Sequence, residues 1–304
     1  MNVQDTRRKP QVAIMNAVHD LPVLVARDRG FFKDEGLDLD FVTTPGMAQV
    51  TTTHLVKFDS IFDRPLDSVY NDGGIDQYRM CEWGIMKRAV EAEAGHLRGR
   101  KIVALGAAMS KFAIAVARDS RYYEPEMLKD QPIAVTPNNG SHFTTLKIMD
   151  GFLAPEHIKT TTAGSMLKRL EAVQSGKIAA ASLMEPWISV AQKRGLRILV
   201  ESHSTRSEAA GDDLDGPTLK RMFRAQARAV ELIEKDPTPF VHYLVAETGG
   251  LLEPHELQTW RLLHAPPQPY TRERFDDTYN WTVKWNMTVP GATYENTVDN
   301  RAWA

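Results

Sequence analysis

With 304 residues, 42% of them hydrophobic and 25% charged, the chain has ordinary globular composition and enough length for two structural units, which excludes disordered and fibrous classes. A net charge of −2 with a pI near 6.5 offers no field to hold nucleic acid or an anionic membrane, and no run approaches the ~20 apolar residues that span a bilayer. The single cysteine, Cys81, excludes an intramolecular disulfide and a cysteine-built zinc cluster.

The opening MNVQDTRRKP has neither the apolar stretch nor the small-residue cleavage site of an export leader, so a cytoplasmic location is expected, or a periplasmic one if a leader was trimmed. Val12 to Met15 is an apolar run ending at Asn16, and His19 and Asp20 open a helical pattern through Val23, Leu24, Ala26 and Phe31. Gly30 and Gly36 bracket a short turn, and Leu37 to Val42 alternates with period two, completing a βαβ unit. Further strands are expected at Ile75 to Met80, Lys101 to Leu105 and Phe112 to Val116, with a helix over Trp83 to Glu93.

A second cycle runs from a strand at Pro132 to Thr136, through the turn Asn138 to His142, into a helix over Phe143 to Phe152. Ser165 then caps a helix carrying Met166, Leu167, Leu170 and Val173, followed by a strand over Ile178 to Leu183, a helix over Trp187 to Arg194 and a strand over Leu196 to Val200. After Ser202 only helices are expected, over Pro217 to Lys235, Pro237 to Glu247, Pro254 to Leu263 and Thr271 to Trp285. Alternating strands and helices predict an α/β fold with two mostly parallel sheets. The pattern changes near 117 and 202 predict one discontinuous lobe, 1–117 with 203–304, and a second lobe, 118–202.

Phe31-Phe32-Lys33-Asp34-Glu35-Gly36-Leu37-Asp38-Leu39 resembles the "GFFKDEGLDV" stretch of the NMT1/THI5-like (SsuA/TauA-like) branch of type II periplasmic binding proteins. The segments Leu128 to Val135, Gly140 to Phe143, Leu170 to Ala180, Glu185-Pro186-Trp187 and Tyr294 to Arg301 extend the resemblance, in order, over residues 11 to 301. It implies two α/β lobes joined by two crossover strands, with a small organic anion bound between them. Helix N-termini facing such a cleft suit carboxylate, sulfonate or phosphate groups.

Ligands of open α/β sheets sit beyond the carboxyl ends of the strands. That rule selects His19, Asp20, Met47, Cys81, Glu82, Trp83, Lys111, Asn138, Asn139, Gly140, Ser141, His142, Phe143, Glu185, Trp187 and His203. Cys81 lies where a strand turns into a helix, a setting that lowers a thiol's pKa; a small buried hydrophobe is the equal alternative. Glu82, His19 and His142 are candidate proton-transfer partners for it, with helix capping or solvation the competing role for each histidine. Trp83 and Trp187 are candidate aromatic walls or core residues. Asn139-Gly140-Ser141 reads as an anion-cradling turn, and Glu185 before Pro186 as a loop-fixing residue ahead of a catalytic one.

No H-E-x-x-H, G-x-S-x-G or phosphate-loop motif occurs, and neither metal nor cofactor is expected. The expected partner is a small anionic molecule, without nucleic acid or membrane insertion, and homodimerisation is left open. With no leader, the favoured reading is a cytoplasmic enzyme acting on a small anionic heterocycle or aromatic acid by hydrolysis or desulfhydration at Cys81. The alternatives are a transporter's substrate-binding protein for a sulfonate, thiamine precursor or similar anion, and an aromatic-acid decarboxylase. The CCCFC motif of the thiamine pyrimidine synthase among these relatives is absent.

Overall fold

The computed structural model describes residues 8–43, 69–95, 98–137, 139–287 and 291–304. Met47 and Asn138 therefore lie outside the described residues. The chain opens with β1 (Gln11–Ile14), α1 (Ala17–Asp28), α2 (Phe31–Asp34) and β2 (Asp40–Thr43). Asn16 caps α1 by accepting from the His19 N–H, and Gly30, at φ +76°, makes the left-handed step into α2. Next come β3 (Gln77–Cys81), α3 (Glu82–Gly95) and β4 (Lys101–Val116). The middle of the chain supplies β5 (Pro132–Val135), α4 (Gly140–Met149), β6 (Lys159–Thr162), α5 (Met166–Gln174), β7 (Ala180–Met184), α6 (Trp187–Lys193) and β8 (Arg197–Ala210). The remainder is α7 (Gly216–Lys235), α8 (Val241–Ala246), the short strand β9 (Leu263–His264), α9 (Arg272–Lys284) and α10 (Tyr294–Thr297).

The strands form one mixed sheet in the order β2-β1-β3-β8-β4-β7-β5-β6, with β9 paired to β4. This corrects the expectation of two mostly parallel sheets. Each end of the sheet is parallel, β2-β1-β3 on one side and β7-β5-β6 on the other, and the long antiparallel pair β4 and β8 joins them. The two strands expected at Lys101 to Leu105 and Phe112 to Val116 are one 16-residue strand, bridged by residues 106–111 through a bulge between Leu105 and Met109. The strand expected to stop at Val200 runs ten residues further, to Ala210. Polar His203 to Glu208 reads as a loop by composition, but in place its charged side chains are paired across the sheet.

Helices pack on both faces of this sheet. α7 lays Leu219, Met222, Phe223 and Val230, at helical spacing, into the core, and it packs against α1. The helix expected over Pro254 to Leu263 is replaced by two single 3₁₀ turns, Pro254–Glu256 and Thr259–Arg261, before β9. Glu253 and Glu256 cap each other across one turn, Leu257 is extended and buried, and Arg261 is drawn to the Glu201 carboxylate at 2.6 Å, so no helical ladder continues.

The C-terminal turn Arg301–Trp303 closes on the start of α7, where a side chain at Gly216 would collide with the Arg301 carbonyl oxygen. Gly216→Ala should therefore destabilise the protein by about 1–3 kcal/mol, the usual cost of overpacking against backbone. Equilibrium urea unfolding checks this, and an unchanged midpoint would contradict the closeness of that contact.

Candidate functional site

Cys81 ends β3 and pairs in register with Arg206 on β8, and two residues earlier Arg79 pairs with Glu208. Directly opposed side chains share a face and lie within contact distance, so a row of thiol, guanidinium and carboxylate groups is threaded through the middle of the sheet. All four residues are buried.

Arg79 is satisfied by Asp20, by the Ala13 carbonyl and by Gln77 Oε1 at 3.1 Å, and it lies 3.5 Å from Glu208. Asp20 also accepts from the Met15 and Asn16 N–H groups, which fastens the β1–α1 turn. Asp20 is thereby a positioning residue with its oxygens taken. Glu208 accepts from the Gln77 amide while its Oε1 has no hydrogen-bond partner. Burial pushes its pKa up to about 7, against the opposing pull of Arg79.

Arg206 differs from Arg79. Its Nε donates to Ser110 Oγ at 3.2 Å, yet Nη2 has no hydrogen-bond partner although the residue is 2% exposed. Burial lowers its pKa, while Cys81, Glu82 and Asp20 act in the other direction. A β-carbon on Gly140, the first residue of α4, would stand 3.1 Å from Arg206 Nη1, so the start of this helix lies close against the guanidinium, which a larger residue would displace. Asn139 gives α4 no side-chain cap, and Ser141 Oγ instead accepts from the Thr136 N–H at 3.0 Å. Arg169, buried on α5, holds the same loop through Thr136 and the Ser182 carbonyl.

His19, in the first turn of α1, is buried with neither ring nitrogen bonded. Burial, then the Arg206 and Arg79 charges, hold its pKa well below 6.5, so the ring is neutral at neutral pH. Arg206 on β8 thus stands beside Cys81 on β3, Ser110 on β4 and Gly140 on α4, and its charge reaches His19 on α1. This arrangement can bind an anion: a buried cation with a spare donor and the first turn of a helix.

The other sequence candidates are placed elsewhere in the network. Glu82, read as an assistant to Cys81, has an anchoring role instead: it accepts from Tyr270 Oη at 2.7 Å and from Arg274 at 2.8 and 2.9 Å. His142 packs on Phe143 and reaches Thr160 at 3.4 Å, on edge strand β6. Trp83 is buried against Phe143 and Trp281, both at 5.5 Å between ring centres, which makes an aromatic contact between α3, α4 and α9. Trp187 is a core residue. Glu185 accepts from Ser189 at 3.1 Å and Arg261 at 3.3 Å, with its pKa raised to about 7 by burial, so it fixes the loop before α6. Lys111 and exposed His203 pair across β4 and β8 and, with Lys147 and Arg274, make a basic rim.

Sequence reasoning missed Arg79, Arg206 and Glu208, whose strand-period spacing in Gln77-Tyr78-Arg79-Met80-Cys81 and Ser204-Thr205-Arg206-Ser207-Glu208 was the available signal. Among the described residues no cluster of three metal-binding side chains occurs and no helix is long and apolar enough to cross a membrane.

The fold has counterparts among solved structures. The alkanesulfonate-binding protein SsuA from Xanthomonas axonopodis pv. citri, bound to MOPS, superposes with a TM-score of 0.72 at 14% identity, over 96% of this chain and 98% of that one. The chain has the type II periplasmic-binding-protein fold. The Candida albicans CA3427 product, described as having the generic periplasmic binding protein fold, gives 0.70 at 10% identity, over 97% of both chains. The desulfurization enzyme DSZB gives 0.57 at 12% identity, over 96% of both. No family model and no curated protein matches the sequence. At these identities the likeness is one of fold, and the resemblance read from Phe31 to Leu39 is met at that level.

The Glu208 carboxyl makes a pH prediction. With its folded pKa raised from 4.5 to about 7, its contribution to stability is fully present below 4.5 and is lost as pH rises through about 7. Glu208→Gln removes that loss, so the melting temperature of the variant relative to the parent should climb across this window. Parallel melting curves against pH would contradict the assignment.

Proposed function

We propose that the chain binds a small organic anion, sulfonate or carboxylate, between two lobes formed by residues 1–117 with 203–304 and by 118–202. The observation that carries this reading is the unpartnered Nη2 of buried Arg206, set against the first turn of α4. A guanidinium withdrawn from water costs several kcal/mol unless an anion meets it. The lobes contribute unlike parts: His19, Cys81 and Arg206 come from the first, and the α4 start from the second. An anion gripped by both draws them together. The fold neighbours support this role, since SsuA is an alkanesulfonate-binding protein and its structure holds MOPS, itself a sulfonate.

The test is calorimetric titration with alkane- and arenesulfonates and aromatic carboxylates. Arg206→Met, which removes the charge and keeps the length, should weaken binding roughly a hundredfold or more, the about 3–5 kcal/mol of a broken buried charge pair. Undiminished affinity in that variant would reject the reading.

A second reading, chemistry at Cys81, is supported by the Arg206 guanidinium that pairs across the strands with it and by the likeness to DSZB. Gly84, on the first turn of α3, leaves room for the thiol: a β-carbon there would lie 3.3 Å from Sγ. Attack of Sγ on an electrophilic carbon (C=O, C=N or C=S) of a bound heterocycle or aromatic acid would form a covalent adduct, the thiol proton passing by way of His19 to the amine or sulfide that leaves, and water would then cleave the adduct and restore the thiol, which gives hydrolysis or desulfhydration. Decarboxylation would proceed without the thiol. Under this reading Cys81→Ser binds substrate and does not turn it over, which mass spectrometry of incubated protein detects. Full turnover by Cys81→Ala rejects thiol chemistry.

A further inference from the structure

Buried imidazoles ordinarily bond at one or both ring nitrogens. His19 bonds at neither, although its backbone N–H is used by Asn16 and its ring is enclosed. The ring cannot pair with either nearby carboxylate that shapes the turn: Asp20 is committed to Arg79 and two backbone N–H groups, and Glu247 Oε1 accepts from the Ala17 N–H. The two guanidiniums whose charge reaches it, Arg79 and Arg206, make no hydrogen bond to it, so the neutral ring keeps one acceptor and one N–H unused. Arg206 also carries the spare donor, Nη2.

We infer that His19 is a specificity-determining residue that hydrogen-bonds a hydroxyl or N–H substituent carried by the ligand next to the acidic group held at Arg206. The ligand class is accordingly a hydroxy- or amino-substituted small organic acid, distinguished from its unsubstituted analogue. This rests on the anion-binding reading of the same site. A neutral imidazole adds at most one uncharged donor to a plain anion, a small gain where Arg206 already supplies charge. It discriminates strongly once a ligand group pairs with it, since the analogue that lacks the group leaves a buried polar atom unmet.

The test compares pairs of probes, 2-hydroxyethanesulfonate with ethanesulfonate and 3-hydroxybenzenesulfonate with benzenesulfonate, by calorimetry on the whole chain. The parent protein should prefer at least one hydroxylated member by about 10- to 100-fold. His19→Leu should bind both members of that pair alike, at the affinity the parent shows for the unsubstituted one. Because the leucine replaces an unpaired buried imidazole, the free variant should melt no lower than the parent. Anions that bind through Arg206 with no preference in the parent, or a preference that survives in His19→Leu, overturn the inference alone. A free His19→Leu that melts well below the parent also overturns it, because the ring would then have a partner within the protein. Failure of every probe to bind, or binding unaffected by Arg206→Met, overturns the anion reading beneath it.

Discussion

Four side chains on two adjacent strands, Cys81 and Arg79 on β3 facing Arg206 and Glu208 on β8, set the constraint on which the rest of this structure depends. Burying two guanidiniums and a carboxylate in the middle of a sheet is favourable only if nearly every donor and acceptor is met. Around Arg79 that condition is satisfied by Asp20, Gln77, Glu208 and the Ala13 carbonyl. Around Arg206 it is not, and the shortfall is concentrated at one nitrogen facing the start of α4. The two arginines therefore differ: one fastens β1 to β3, and the other keeps a donor to spare.

The long antiparallel pair makes this arrangement possible. β4 and β8 carry the chain between the two parallel ends of the sheet and return it, so that Ser110 and Arg206 stand where both ends can reach them. Glu82 extends the restraint outwards by binding Tyr270 and Arg274, which ties the start of α3 to α9. Trp281 on that same helix packs on Trp83, and Lys284 pairs with Asp150 at the end of α4, 2.6 Å away. α9 thus touches both the start of α3 and the end of α4.

Much of the fold was legible because its signals are local. Ser165 before α5 and Pro217 in the first turn of α7 act within a few residues, and both helices begin within one residue of where those signals predict, whereas α1 starts at Ala17, ahead of the expected His19, and the turn expected between Gly30 and Gly36 holds the short helix α2. The long strands were not legible. Gly106 and the bulge near it interrupt the apolar period of β4, and the polar run His203 to Glu208 looks solvated because its partners, Cys81 and Arg79, lie more than a hundred positions away. For the same reason Cys81, His19 and Gly140 were found at strand and helix ends, whereas Arg79, Arg206 and Glu208 were passed over. A charged residue within a strand is ordinarily read as facing water, and only the pairing across the sheet reveals that these face one another. Glu82 shows the converse: adjacency to Cys81 in sequence suggested a chemical partner, but its oxygens are taken up by residues near the C-terminal end of the chain.

The most direct trial of the central claim is a crystal structure of the protein grown with an arenesulfonate, its sulfur located by anomalous scattering. The account predicts the sulfonate oxygens within hydrogen-bonding distance of Arg206 Nη2 and of the backbone N–H groups that open α4. A sulfonate bound away from Arg206, with that guanidinium closed onto protein acceptors, would contradict it.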